Sequence, residues 1–210
     1  MDVAHRSGEG VSSHNRCSPE IYKRKIGIIF INKSIRYDVK HEKVVEGLKY
    51  QETCKMAIRC WLMKSEPTDF SIMDLKNSRN QTEHWDGVRN YQARNFMRDK
   101  MRIKDRILFY HSVVNPSVVG TARVVKAGYP DFTAWDPKSK HFDPKSTPEN
   151  PIWYMVDIRF ESQFAEPIPL ARLRTIPGLK NMLLLRKGIR LSIQPVTTKE
   201  FDIIVSMGNP

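Results

Sequence analysis

An α+β fold is predicted, a small mixed β-barrel of about six strands covered by short helices, over residues 58–210 and behind an N-terminal tail of residues 1–57. Three observations lead there. Apolar runs of strand length follow one another from Trp61 to Ile193, with turn residues between them. The helical signals among them are short, and several open on a recognisable cap. Regular patterning is absent before Cys60. Strands in a row with a few short helices favour a small barrel over a layered parallel sheet.

Residues 1–20 are rich in Ser, Gly, His and Asn without periodicity, so the tail is expected to be disordered or weakly ordered. Within it, Tyr22-Lys23-Arg24-Lys25 resembles a weak nuclear-import cluster, a pattern that also arises by chance. Ile28–Ile31 reads as a strand or a sticky segment, and residues 38–56 as a marginal helix. The regular part opens with a strand over Trp61–Ser65, ended by Glu66-Pro67. Ser71-Ile72-Met73-Asp74 has the form of a capping box with Asp in place of Glu, starting a short helix through Lys76. Gly87 allows a turn after Asp86, and Asn90 is an N-cap for a helix beginning at Tyr91. Strands are expected over 105–112 and 118–125, with a turn at Asn115-Pro116, and over 153–160. Between the last two lies a connection, 128–151, with six prolines or glycines. Its aromatics Phe132, Trp135 and Phe142 are expected to fold back onto the domain, since so long a loop is usually functional or disordered. Leu170–Leu173 begins a short helix stopped near Pro177-Gly178. Strands are expected at Met182–Leu185 and Leu191–Ile193, with Gly188 in the turn between. Thr197-Thr198-Lys199-Glu200 is a capping box opening a last helix through Met207.

A formal charge of +12 favours a polyanionic partner, nucleic acid ahead of an anionic membrane surface. The tail does not supply all of it. Residues 1–60 hold 12 Lys+Arg against 7 Asp+Glu, net +5, and residues 61–210 hold 23 against 16, net +7. The three cysteines, Cys17, Cys54 and Cys60, are odd in number and lack metal-ligand spacing, which argues against a disulfide framework and fits a reducing compartment. No apolar run is long enough to span a membrane, and the basic cluster before Ile26 lies too far from Met1 for a secretion signal. No phosphate loop, zinc spacing or nucleophile elbow is present, so neither metal nor cofactor is expected. Neighbouring strand residues point to opposite faces, which weakens Ser65 with Glu66, and His111 with Ser112, as hydrolase pairs.

The stretch Trp85–Met97 carries the functional signal. From Tyr91 a helix places Tyr91, Arg94, Asn95 and Arg98 on one face, and Ala93, Phe96 and Met97 on the other. Seven cations occur from Arg89 to Arg106 against two aspartates. Aromatics interleaved with arginines mark nucleic-acid contact, although a solvated amphipathic helix with Trp85 in the core has the same pattern.

Several motifs together resemble a known family. Trp61-Leu62-Met63-Lys64-Ser65-Glu66-Pro67, the Trp85–Met97 stretch, Phe109-Tyr110-His111-Ser112, Tyr129-Pro130-Asp131, Phe142-Asp143-Pro144, Met155-Val156-Asp157 and Arg190-Leu191-Ser192-Ile193-Gln194-Pro195 are similar to the EVE domain, over about residues 60–207 and in the same order. The resemblance extends to its thymocyte nuclear protein 1 group. It implies a PUA-like fold related to YTH domains, a pocket that reads a modified base, 5-hydroxymethylcytosine in DNA as target, and the nucleus as compartment, with the cytoplasm as alternative. The tail departs from the group's polar, lysine-rich pattern at Ile26–Ile31.

A modified base in a duplex must be flipped out or met single-stranded to be read. The base-pocket candidates are Trp61, Trp85 and Tyr110 for stacking, and Lys64, Ser65, Asn90, Asn95 and Ser192 for hydrogen bonding. Arg89, Arg94 and Arg98 are candidates for the nucleic-acid backbone, and Asp131, Trp135 and Phe142 for a pocket wall. A monomeric, non-enzymatic module binding modified DNA is expected, with a reader of modified RNA as the first alternative. An enzyme acting on a nucleic-acid base is the second alternative.

Overall fold

The computed structural model describes residues 57–208, and the expectations for the tail before Ala57 lie outside the described residues. The first strand, β1 (Cys60–Ser65), is central to the architecture. It runs parallel to β3 (Arg106–His111), from Cys60 opposite Arg106 to Ser65 opposite His111, and antiparallel to β6 (Ile193–Val196). The long antiparallel strands β4 (Ser117–Pro130) and β5 (Tyr154–Pro169) continue the sheet, and short β2 (Thr82–His84) pairs on β5. The order is β2-β5-β4-β3-β1-β6, a six-stranded mixed sheet with short helices as expected, although β2, which has no apolar run, is not among the expected strands. The β4–β5 register slips at several places, and such bulges let two long strands bend together.

The alternation of side chains divides the core between two faces. Trp61, Met63, Ile107 and Phe109 pack on one, beneath α1 (Ile72–Asn77) and α2 (Tyr91–Asn95). Cys60, Leu62, Leu108 and Tyr110 pack on the other, against Leu173 of α3 (Leu170–Arg174) and Phe201 of α4 (Thr198–Gly208). Because β1 is covered on both faces, its first four residues are all buried. A fully buried aliphatic side chain such as Leu62 contributes roughly 1.5–3 kcal/mol by leaving water.

The capping signals hold. Ser71 and Asp74 bond reciprocally, as do Thr197 and Glu200, and the Asn90 side chain accepts the Ala93 N–H. After Asn95 the helix widens into a π turn over Phe96–Lys100. Gly128 of β4 fits beneath it, where a Cβ would stand 2.4 Å from the Met97 carbonyl oxygen. Three expectations are corrected. Leu183–Leu185 is a 3-10 turn, not a strand. Leu184 within it and Met182 just before it insert into the second core, so burial rather than pairing explains that apolar run. The last strand spans Ile193–Val196 instead of Leu191–Ile193, because its partners in β1 run from Met63 opposite Ile193 to Cys60 opposite Val196. The strands at 118–125 and 153–160 are much longer than their apolar patterns, since pairing with one another carries β4 and β5 through polar residues. Among the described residues no helix is long and apolar enough to cross a membrane.

Candidate nucleic-acid interface

A cleft of about 1040 Å³ opens where the C-terminal end of β1 meets the turn after β2. Lys64, Ser65 and Ser192 line one side, Trp85, Gly87 and Arg89 another, and Ser139, Lys140 and His141 of the long loop a third. Ser192 is placed by its own backbone, whose carbonyl accepts the Lys64 N–H at 2.9 Å.

Trp85 follows β2, and its N–H donates to Val156 O at 2.8 Å. Its indole stands edge-on to Phe109 at 5.4 Å and to Phe70 at 6.2 Å between centroids, and it is 7% exposed. It is therefore part of the core and of the cleft wall at once; Phe70 also lines the cleft. The turn beyond it depends on Gly87, which has φ +70. A Cβ there would stand 2.6 Å from the His141 imidazole, so the glycine lets that ring lie directly on the backbone.

The turn is tied to the long loop through Asp131. This fully buried carboxylate accepts from Arg89 Nη1 at 2.8 Å, Gly87 N at 3.1 Å and Thr133 N at 2.9 Å. Burial pushes its pKa up, but the hydrogen bonds from Thr133 and Arg89, with the Arg89 charge, outweigh burial and hold it below the usual carboxylate range. Arg89 also donates to His141 O through Nε at 3.1 Å. The loop folds back through these polar ties rather than through its aromatics, since Phe132 and Phe142 are 49% and 42% exposed. Trp135 Nε1 reaches Ser146 Oγ, and Trp153 Nε1 donates to Asp143 Oδ2 at 2.7 Å.

The expected pocket residues therefore separate. Lys64, Ser65, Trp85 and Ser192 come together at the cleft, with Arg89 beside them. Trp61 lies in the first core, 3% exposed, with Nε1 donating to the buried Asp105 at 2.8 Å. Tyr110 lies in the second core beneath Lys64, whose Nζ sits 5.9 Å from its ring centroid. Asn90 is occupied as a cap, and Asn95 accepts from Arg94 Nε. Asp131 supports the wall from behind, while Trp135 and Phe142 do not line the cleft. Their neighbours Ser139, Lys140 and His141 do, which side-chain type in a loop could not indicate. Sequence reasoning also missed the carboxylates Glu66, Asp69, Glu83 and Asp86, and Arg190. Lys140 reaches Asp69 at 3.2 Å from the opposite wall.

Desolvation lowers the pKa of Lys64, so an anionic or electron-rich ligand would stabilise its charged form. His111, at the end of β3, is likewise lowered by burial and accepts the Ile72 N–H through Nε2 at 3.1 Å. The cleft serines contact backbone: Ser65 Oγ its neighbour Glu66 O, and Ser112 Oγ the Ser65 carbonyl at 3.2 Å.

The backbone candidates are engaged within the protein. Beyond Arg89, Arg94 donates to Ile152 O and Arg98 pairs with Asp99 at 2.8 Å. Segment 167–199 differs. It carries seven cations and no carboxylate. Arg172, Arg174, Lys180, Arg186, Lys187 and Arg190 are all exposed, and among the described residues none has a carboxylate within salt-bridge reach. Arg190 lines the cleft, and Arg174 lies close enough to Tyr110 to pull back the rise that burial gives its phenol.

Comparison with known proteins agrees with this architecture. Thymocyte nuclear protein 1 of Danio rerio is 40% identical over 213 residues, covering 93% of this chain and 89% of the relative. The crystal structure of human THYN1 protein in complex with 5-methylcytosine containing DNA is 44% identical, with a TM-score of 0.67, covering 72% of this chain and 98% of that one. A hypothetical protein from Leishmania major is 46% identical with a TM-score of 0.68, covering 72% and 95%. Residues 59–207 match the EVE domain, and the chain belongs to that family.

Proposed function

We propose that this protein is a non-enzymatic, monomeric reader of modified cytosine in DNA, with 5-hydroxymethylcytosine as its preferred base and the nucleus as its compartment. The observation that carries the reading is the human relative, 44% identical, bound to DNA containing 5-methylcytosine. The cleft offers the chemistry that a flipped cytosine needs. Trp85 and Phe70 supply apolar surface for the ring. Lys64, Ser65 and Ser192 can donate to the base's O2 and N3, and Glu66, Asp69 or Asp86 can accept from the N4 amino group. The Ser65 and Ser112 hydroxyls are bonded to backbone rather than to a base or an acid, which favours binding over hydrolysis. Phosphates are held by the unpaired cations of segment 167–199, not chiefly by Arg94 and Arg98.

Competition binding tests this with oligonucleotides identical except for one cytosine, unmodified, 5-methylated or 5-hydroxymethylated. One added hydrogen bond to the hydroxymethyl group gives a preference of about tenfold for that form over cytosine. Equal affinity for all three would overturn the reading. A preference for the same base in RNA would redirect it to RNA.

A further inference from the structure

We propose that the tip of the β3–β4 hairpin, Val113-Val114, is a wedge that enters the DNA duplex and fills the place left by the base extruded into the cleft. The proposal rests on the reading of the cleft as a base pocket.

The tip breaks two local rules at once. Val113 and Val114 are 67% and 56% exposed, at a turn where polar residues and glycine ordinarily stand. Val113 has φ +66 and Asn115 φ +47, left-handed conformations in which a β-branched residue is an outlier. Such a conformation persists only where its surroundings over-determine it. Here both ends of the tip are pinned. The Ser112 N–H donates to Ser65 O, and the Leu170 N–H to Pro116 O, each at 2.8 Å. The two valines are thus held outward between β1 and α3.

Their position supplies the reason. Val113 borders the cleft together with Ser65 and Ser112. Lys64 and Arg190 line the same cleft, and α3, joined to the tip through Leu170, carries exposed Arg172 and Arg174. An apolar tip flanked by cations and next to a base-sized cleft suits insertion between base steps, with phosphates on either side. Extruding a base leaves a gap in the stack, and an apolar side chain in that gap opposes the return of the base.

The test uses the full chain with Val113→Gly and Val114→Ser together. Glycine adopts positive φ without steric cost, so the hairpin is retained, and an unchanged melting temperature checks it. Three probes are compared, each beside its unmodified counterpart: a duplex carrying one 5-hydroxymethylcytosine, the matching single strand, and a duplex with 2-aminopurine next to the modified base. The variant is expected to lose about tenfold or more in affinity for the duplex and less than about threefold for the single strand, which needs no extrusion. It should also lose the 2-aminopurine fluorescence rise that unstacking gives. Equal losses on duplex and single strand, or none on either, would overturn the wedge while leaving the base pocket standing. A wild-type protein that prefers the modified base in neither form would overturn both. A variant that keeps its duplex affinity but changes self-association would assign the tip to a protein contact and overturn the wedge.

Discussion

Segments 89–106 and 167–199 each contain seven cations, yet the fold sets them in opposite surroundings. In the first, all five arginines are occupied. Arg89 is held by Asp131, Arg94 by Ile152 O, Arg98 by Asp99, Arg102 by the Met101 and Asp99 carbonyls, and Arg106 by Asp202. In the second, the cations from Arg172 to Arg190 are exposed, and no carboxylate lies in sequence between Glu166 and Glu200. A guanidinium already bonded must give up a partner to take a phosphate, whereas a free one exchanges only counterions. Density of charge in the sequence thus does not tell which cations are free to take a phosphate. The supply of acids and carbonyls around each cation decides it.

The largest effect that could break this contrast is Arg89→Ala. It would leave the buried Asp131 carboxylate unpaired, at a cost of about 3 kcal/mol, the lower end for a broken buried pair because the Arg89 side chain is 25% exposed. Denaturant unfolding measures it, and a loss under about 1 kcal/mol would make Arg89 free to serve DNA. Next, Arg172→Gln, Arg174→Gln and Arg190→Gln combined should weaken duplex binding roughly a hundredfold near 0.15 M salt and shrink the slope of log K against log salt by about 2.7. The melting temperature should not move. An unchanged slope would return phosphate contact to the basic helix.

A pH titration sharpens the same contrast. Asp131 has a folded pKa below its unfolded value of about 3.9, so its contribution is complete above that pH and is lost as pH falls through the folded value. Thermal melts should show wild type above Asp131→Asn at pH 6, with the gap closing only in stronger acid. Segment 167–199 has no carboxylate to titrate, so its salt slope should stay constant from pH 7 to 5. The smallest effect is expected from Arg94→Gln with Arg98→Gln, a slope change of less than about one unit. A change near two would mean that both side chains leave their partners for DNA.

Much of the fold was legible because its signals are local. Ser71 with Asp74, Thr197 with Glu200, and Asn90 with Ala93 are caps closed within three residues. Gly87 marks its turn by the same logic. Four of the eight base-pocket candidates, Lys64, Ser65, Trp85 and Ser192, line the cleft, and all four stand at or next to strand ends beside recognisable motifs. The rest depended on partners remote in sequence. Trp61 is committed to Asp105, 44 residues away, and strand alternation could not reveal its burial because β1 is covered on both faces. The wall formed by Ser139–His141 depends on Asp131 gripping Arg89 across 42 residues. Met182–Leu185 has the composition of a strand, and only its insertion between α3 and β6 makes it a 3-10 turn.

The position of β1 between β3 and β6 bears on how the chain is made. Translation delivers β1 before its other neighbours, but Met63 pairs with Ile193, 130 residues later. Until that strand leaves the ribosome, Cys60–Met63 presents an unpaired, fully apolar edge of the kind that recruits other chains. The nascent domain therefore carries its most aggregation-prone strand longest, and its folding rate is set by a late, non-local closure. Chaperone capture of stalled chains should end abruptly once the tether extends past Val196 by the length of the exit tunnel.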